Sequence, residues 1–205
     1  QMEHSYILWF EDIGLDDLPR VGGKNASLGE MIGALSEQGV RVPGGFALTS
    51  EAYRHFVRTN GLEDPVRELI GRFHDEETPL DEVGAAIRRK FLDAPIPDEI
   101  AEAVKAAYRE LAQRGGGADP AVAVRSSATA EDLPDASFAG QQETFLNVVG
   151  EDELLEACRK CFASLFTDRA INYRKTKGFD DMQVALSVGV QLMVRADSGS
   201  SGVLF

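Results

Sequence analysis

Two short stretches of this sequence combine a single cation with small residues, a pattern that can bind an anion. In the first stretch, Gly22 and Gly23 precede Lys24 where a helical repeat of apolar residues begins. Paired glycines let a ligand approach the backbone, and exposed N–H groups, a helix dipole and one ammonium group together attract negative charge. The GxxxxGK[ST] spacing of a Walker A loop is absent, so a phosphate site and an ordinary turn both stay open.

The second stretch begins at Arg125, which follows the apolar run 121–124. A buried strand there would fix the guanidinium group, and a fixed guanidinium can bind phosphate through two parallel hydrogen bonds. Small and hydroxyl residues follow as far as Gly140 and can form a flexible cover over a ligand, although a hydroxyl-rich surface loop is the alternative. Neither Lys24 nor Arg125 has a carboxylate beside it in the sequence, which favours one anion site shared by both cations.

The composition excludes several other classes of function. The chain has 205 residues, of which 43% are hydrophobic and 27% charged, so it can bury a core and should fold. Lys and Arg number 21 against 34 Asp and Glu, giving a net charge of −13. A surface that acidic repels nucleic acids and anionic lipids, so we expect neither a nucleic acid nor a membrane as partner. No apolar run approaches the roughly 18 residues that a membrane-spanning helix needs.

The elements that must position the two cations follow from the apolar pattern. Short strands are predicted at residues 6–10, 46–48, 121–124, 144–148 and 184–194. Helices are predicted at residues 28–39, 50–58, 97–114, 152–166 and 169–178, with two more between 63 and 96. Residues 126–141 show neither the apolar alternation of a strand nor the apolar repeat of a helix. We interpret residues 60–114 as a helical insertion with an acidic, solvated face, and we expect the chain to be a fragment because it stops inside an apolar run at Phe205.

The remaining reactive side chains predict no second site. Cys158 and Cys161 fall in a predicted helix without a further Cys or His pair, so we expect them to pack in its core within a reducing cytoplasm. The three histidines are scattered, and no metal-binding spacing is present. Four cations follow one another on a predicted helix and are interpreted as a solvated, charge-balancing face: Arg169, Arg174, Lys175 and Lys177.

Six strings in order give the sequence a family resemblance. They are residues 8–10 (LWF), 21–31 (VGGKNASLGEM), 42–47 (VPGGFA), 123–132 (AVRSSATAED), 139–148 (AGQQETFLNV) and 163–170 (ASLFTDRA). Together they resemble the N-terminal end of the phosphoenolpyruvate synthases, within the family of pyruvate phosphate dikinase and other PEP-utilising enzymes. The resemblance covers nearly the whole chain and is weakest over residues 60–118.

The resemblance implies an α+β fold, the first lobe of an ATP-grasp nucleotide-binding domain, with a mixed sheet flanked by helices. Residues 1–205 would form this N-terminal lobe, truncated at its C-terminal end, with 60–114 as the helical insertion. By position, Lys24 and Arg125 match the phosphate-binding, catalytic cations of the family. Gly140 and Thr144 match its glycine-rich phosphate loop, and Gln191 matches a residue of its nucleotide pocket.

The resemblance also implies a reaction. In the family, ATP phosphorylates a histidine on a separate swivelling domain, and the β-phosphoryl group is carried to pyruvate in a barrel domain, yielding AMP, phosphate and phosphoenolpyruvate. ATP and Mg²⁺ would be the cofactors, with the metal ligands downstream of this chain. The full-length protein would be a cytoplasmic homo-oligomer, and this fragment alone would be inactive.

Two alternatives stay open at this stage. The chain can be the equivalent lobe of a rifampin phosphotransferase or a pyruvate phosphate dikinase, which share the architecture. It can also be a non-catalytic acidic module that docks a partner through the helices of residues 63–114, which would need an exposed apolar patch.

Overall fold

The computed structural model describes residues 5–129 and 143–193, which form one five-stranded sheet and seven α-helices. The strands are β1 (Ile7–Trp9), β2 (Gly45–Leu48), β3 (Val122–Ala128), β4 (Thr144–Val148) and β5 (Leu186–Leu192). The helices are α1 (Leu18–Glu37), α2 (Ser50–Thr59), α3 (Glu63–His74), α4 (Leu80–Asp93), α5 (Asp98–Leu111), α6 (Glu151–Ala163) and α7 (Asp168–Lys177). The expected α+β class is confirmed, and this arrangement is consistent with an ATP-grasp lobe.

The strands lie in the order β1-β2-β5-β3-β4, and every pairing in the described part of the chain is antiparallel. The expectation of mixed strand directions is therefore corrected for these residues. The physical reason is the position of β5: β2 and β3 run in the same direction, but β5 lies between them and runs against both. No two parallel strands become neighbours within this sheet of described strands.

One face of the sheet carries the main hydrophobic core. Large apolar side chains such as Phe46, Val124 and Val190 alternate along the strands and pack against α2–α7. Aromatic rings from different helices meet in this core, with the ring centroids of Phe56 and Phe162 only 5.1 Å apart. Burial of these rings stabilises the helices against the sheet and fixes the strands from this side.

The other face carries small and polar side chains and is covered by α1; we call it the α1 face. Residues directly opposite each other in neighbouring strands share a face, so the register assigns Ala47, Gly189, Arg125 and Thr144 to one row of the α1 face. A second, smaller cluster that includes Val21 and Ala26 of α1 packs against Ala47. One face of the sheet thus carries bulky, packed side chains, and the α1 face carries small ones.

Helix α1 begins earlier than the apolar repeat predicts. It runs from Leu18, with Pro19 in its first turn, but Gly22 at φ 79° and ψ 165° interrupts the helical backbone. The repeat from Leu28 onward lies on the continuous part of the helix. The short turn of helix before Gly22 has no apolar repeat of its own, so the sequence pattern could not show it.

The predicted strand at residues 121–124 was too short. Strand β3 extends to Ala128, because Ser126, Ser127 and Ala128 all pair with β5. The helical segment 63–111 agrees with the sequence pattern, while its status as an insertion stays a prediction.

The predicted solvated stripe on α7 is wrong for Arg174. This side chain is 4% exposed, and its Nε donates to Asp181 at 2.5 Å while Nη2 donates to the Leu165 carbonyl at 2.6 Å. A buried guanidinium needs such partners because desolvation of its charge is unfavourable. The partner carboxylate lies seven residues away, so the periodicity of the helix alone could not reveal the pair.

Candidate functional site

Arg125 lies in the central part of the α1 face. It is half-buried in β3, with Gly189 of β5 opposite on one side and Thr144 of β4 opposite on the other. Gly189 has no side chain, and the Asn25 side chain occupies the space above it on this face. Burial lowers the pKa of the Arg125 guanidinium from its usual value, but an arginine stays protonated at neutral pH. The sheet therefore holds a partly desolvated positive charge on the α1 face.

The turn that contains Lys24 lies against the same strand. A Cβ at Gly22 would overlap the Ser127 side chain and would lie 2.7 Å from the carbonyl oxygen of Ala128. On the other side of Lys24, the backbone N–H of Asn25 donates to Ser127 Oγ at 3.5 Å. The residues on both sides of Lys24 thus contact β3 within three positions of Arg125, while the Lys24 side chain is exposed to solvent.

Gln191 lies on the α1 face one row away from Arg125. It is 3% exposed, and its register partners are Gly45 of β2 and Ala123 of β3. Its Nε2 donates to the carbonyl oxygen of Pro43 at 3.1 Å, which fixes the orientation of the amide because a carbonyl can only accept. The Oε1 atom is buried and has no hydrogen-bond partner among the described residues. A buried acceptor of this kind is unfavourable unless a ligand or water donates to it.

Thr144 is exposed at the start of β4, directly across from Arg125. Gly140 lies outside the described residues, so its predicted role in a phosphate loop stays a prediction. Of the residues predicted for the site, the structure therefore brings Arg125, Thr144 and Gln191 to one face of the sheet, with the backbone of Lys24 against it.

Sequence reasoning missed Asn25 as a residue of this site. Its side chain is 1% exposed and reaches β5, where Nδ2 donates to Ser187 Oγ at 3.2 Å. The available signal was a polar residue at a position of α1 that the helical repeat directs toward the sheet, immediately after the candidate lysine. That signal is weak in isolation because the sequence does not show which strand lies opposite.

The two cysteines have the predicted packing role. Cys158 and Cys161 are free thiols buried in α6, and burial raises the pKa of Cys158 to about 12. A thiol with such a pKa is protonated and unreactive at neutral pH. Within residues 5–129 and 143–193 no group of three or more His, Cys, Asp or Glu is arranged to hold a metal ion. Over the same residues, no helix has the combination of length and apolar character that crossing a bilayer requires.

Comparison with known proteins identifies the family of this chain. Residues 18–205 match the family model of the pyruvate phosphate dikinase AMP/ATP-binding domain. The chain is 56% identical over 205 residues to the phosphoenolpyruvate synthase of Neisseria meningitidis serogroup B, covering 100% of this chain and 26% of that protein. It is 54% identical over 210 residues to the phosphoenolpyruvate synthase of Synechocystis, covering 99% of this chain and 25% of that protein.

The enzyme of the same name from Escherichia coli K12 is 52% identical over 200 residues, covering 97% of this chain and 25% of that protein. The chain thus spans about a quarter of the length of the curated relatives that it matches. The resemblance drawn from the six sequence strings is confirmed. With a family model matching nearly its whole length and these relatives covering it from end to end, the chain belongs to the family of pyruvate phosphate dikinase AMP/ATP-binding domains.

Proposed function

We propose that this chain is the ATP-binding first lobe of a phosphoenolpyruvate synthase and that its α1 face binds the nucleotide. The observation that carries the proposal is that Gly22 and Asn25, on either side of Lys24, contact β3 within three positions of Arg125, although the two cations are far apart in the sequence. A triphosphate needs fixed positive charge, and this chain, with a net charge of −13, must supply it locally. Membership of an AMP/ATP-binding family supports the same assignment.

Each side chain of the proposed site has a separate role. Arg125 would bind phosphate oxygens through its planar guanidinium, and Lys24 would contribute a point charge from the turn of α1 that contacts β3. The hydroxyl of Thr144 can donate to a phosphate oxygen, and backbone N–H groups around Gly140 would add further donors. Such positioning and charge neutralisation are the main contributions a protein makes to phosphoryl transfer.

Gln191 fits the nucleoside part of ATP. Its amide nitrogen is already bound to the Pro43 carbonyl, so only the buried Oε1 acceptor is available to a ligand. The adenine amino group and the ribose hydroxyls are donors that this oxygen can accept. The buried Oε1 acceptor thus lacks a donor among the described residues, and ATP would supply one.

The metal ligands are proposed to lie in the part of the protein that follows this chain. Mg²⁺ prefers several oxygen ligands with near-octahedral geometry, and the described residues supply no such group. When bound with ATP, the ion would neutralise phosphate charge, and Lys24 and Arg125 would neutralise the remainder from the protein side.

For the full-length protein we propose the reaction that the family resemblance implies, in which ATP, pyruvate and water give AMP, phosphate and phosphoenolpyruvate through a phosphohistidine. The phosphohistidine and pyruvate domains would lie outside this chain, which spans about a quarter of those relatives. We propose a cytoplasmic location because two free, reduced thiols are typical of a reducing compartment. The homo-oligomeric state and the role of residues 60–114 as an insertion stay predictions.

Charge-removal variants of the full-length protein test the proposed function. We expect Arg125→Ala to lower the AMP-forming rate by about 10²–10³-fold, because a cation at the transferring phosphates is removed. Lys24→Ala should raise the KM for ATP or lower the rate. The matched controls are Arg72→Ala and Lys90→Ala, which remove exposed cations from α3 and α4. Wild-type kinetics in both site variants would refute the assignment.

A further inference from the structure

Asn25 is a buried amide in the wall of the proposed site, and its hydrogen bonds cross the sheet. Nδ2 donates to Ser187 Oγ at 3.2 Å, and Ser187 Oγ donates in turn to the Leu48 carbonyl at 2.6 Å. The chain of bonds therefore joins α1 to β5 and then to β2. Both bonds are buried, where hydrogen bonds are stronger and unpaired groups more unfavourable than in water.

The same residue contacts both β3, the strand that carries Arg125, and the neighbouring strand β5. Its backbone N–H donates to Ser127 Oγ, two residues beyond Arg125 on β3. Its Oδ1 occupies the space that a Cβ at Gly189 would fill, and Gly189 is the residue directly opposite Arg125 on β5. Asn25 is therefore held against β3 and β5 at the level of the arginine, and Lys24 is its immediate neighbour in the chain.

We propose that Asn25 is a positioning residue that sets the separation between Lys24 and Arg125. The inference rests on the proposed function, since it assigns to Asn25 the placement of the two phosphate-binding cations. Asn25 does not touch the nucleotide. It holds the turn that carries Lys24 at a fixed distance from the strand that carries Arg125, so that both charges reach one triphosphate.

The chemistry explains why an amide occupies this position. The single hydroxyl proton of Ser187 goes to the Leu48 carbonyl, so Ser187 can only accept from residue 25. An asparagine supplies that donor, whereas an aspartate would supply none and would add negative charge beside an anion site. A shorter side chain would leave Ser187 Oγ without the donor that Asn25 supplies, and it would leave the space above Gly189 empty.

A double-mutant cycle in the full-length protein separates positioning from general stability. We expect Asn25→Ala to lower kcat/KM for ATP by about 10²-fold in the wild-type background, since a displacement of about 1 Å can have this effect. In the Lys24→Ala background the same change should lower kcat/KM less than about threefold, because the group that Asn25 positions is already gone. The matched control is Asn60→Ala, which removes an amide bound to the carbonyls of Phe56 in α2 and Pro95 between α4 and α5. It should lower the melting temperature without lowering kcat/KM.

The outcomes of the cycle distinguish failure of the positioning role from failure of the proposed function. An equal fold-loss from Asn25→Ala in both backgrounds overturns the positioning role and leaves the proposed function intact. Wild-type kinetics for Lys24→Ala overturns the positioning role, and wild-type kinetics for Arg125→Ala as well overturns the proposed function. If Asn25→Ala does not fold, Ser187→Ala is used in the same cycle, because it releases Asn25 Nδ2 without changing residue 25. Additive effects of Ser187→Ala and Lys24→Ala would again overturn the inference.

Discussion

Gly22 is the position where the shape of the candidate site depends most directly on the absence of a side chain. Its backbone has φ 79° and ψ 165°, a conformation that residues with a Cβ rarely adopt, and holding alanine there is unfavourable by about 1–3 kcal/mol. The added Cβ would also overlap the Ser127 side chain and lie 2.7 Å from the Ala128 carbonyl oxygen and 2.8 Å from that of Ser127. Overpacking of this kind typically destabilises by another 1–3 kcal/mol or so.

We therefore expect Gly22→Ala to lower the free energy of unfolding by about 2–6 kcal/mol. At roughly 2–4 °C per kcal/mol for a chain of this size, the melting temperature should fall by at least about 4 °C. The variant should also raise the KM for ATP, because Lys24 lies two residues away and its turn would be pushed off β3. Thermal unfolding followed by circular dichroism and steady-state kinetics of the full-length protein measure the two effects.

The matched control is Gly33→Ala in the same helix. A Cβ at Gly33 meets no atom within 4 Å, so alanine should stabilise α1 by up to about 1 kcal/mol and leave the kinetics unchanged. If Gly22→Ala and Gly33→Ala shift the melting temperature equally and in the same direction, the close approach of the Lys24 turn to β3 is refuted.

Three further predictions follow from buried polar groups. Gln191→Leu should weaken ATP binding, measured by calorimetry, because it removes the Oε1 acceptor; it also removes the donor to the Pro43 carbonyl, so affinity and not melting temperature is the readout, and a folded variant with unchanged affinity would contradict the role given to Oε1. Because burial raises the pKa of Cys158 from 9.0 to about 12, its contribution to stability is complete below pH 9 and is lost as the pH rises toward 12. This thiol should lower the free energy of unfolding there by up to about 1.4 kcal/mol per pH unit, and Cys158→Ala should remove that share of the slope, while burial of Cys161, which also raises its pKa, contributes the rest. Asp181→Ala should destabilise by about 3–5 kcal/mol in chemical denaturation because it leaves the Arg174 charge buried and unpaired, and a loss below about 1 kcal/mol would contradict the burial of this pair.

The sequence predicted the parts of the fold that have a clear apolar period. Helices α2 to α7 each bury one stripe, and that burial produces the helical repeat, whereas β5 is buried on both faces and gives a nearly continuous apolar run. Ser126, Ser127 and Ala128 have no such repeat, because they extend β3 by pairing with β5 rather than by burying apolar area. The short turn of α1 before Gly22 was missed for a similar reason, since it depends on Pro19 and on contacts with β3.

The candidate site was predictable only as separate pieces. Lys24 and Arg125 were identifiable from their small neighbours, and the family resemblance added Thr144 and Gln191. Their common face depends on strand order and register, in which β5 joins β2 to β3. The role inferred for Asn25 depends on atoms of Ser187 and Gly189 more than 160 positions away, a contact that one sequence does not encode in any local pattern.

The most direct measurement is a crystal structure of the full-length protein with Mg²⁺ and a non-hydrolysable ATP analogue. We predict phosphate oxygens within hydrogen-bond distance, about 2.7–3.2 Å, of both Lys24 Nζ and the Arg125 guanidinium, with Gln191 Oε1 accepting from the nucleoside. A triphosphate bound elsewhere, with these two cations in contact only with solvent, would contradict the account.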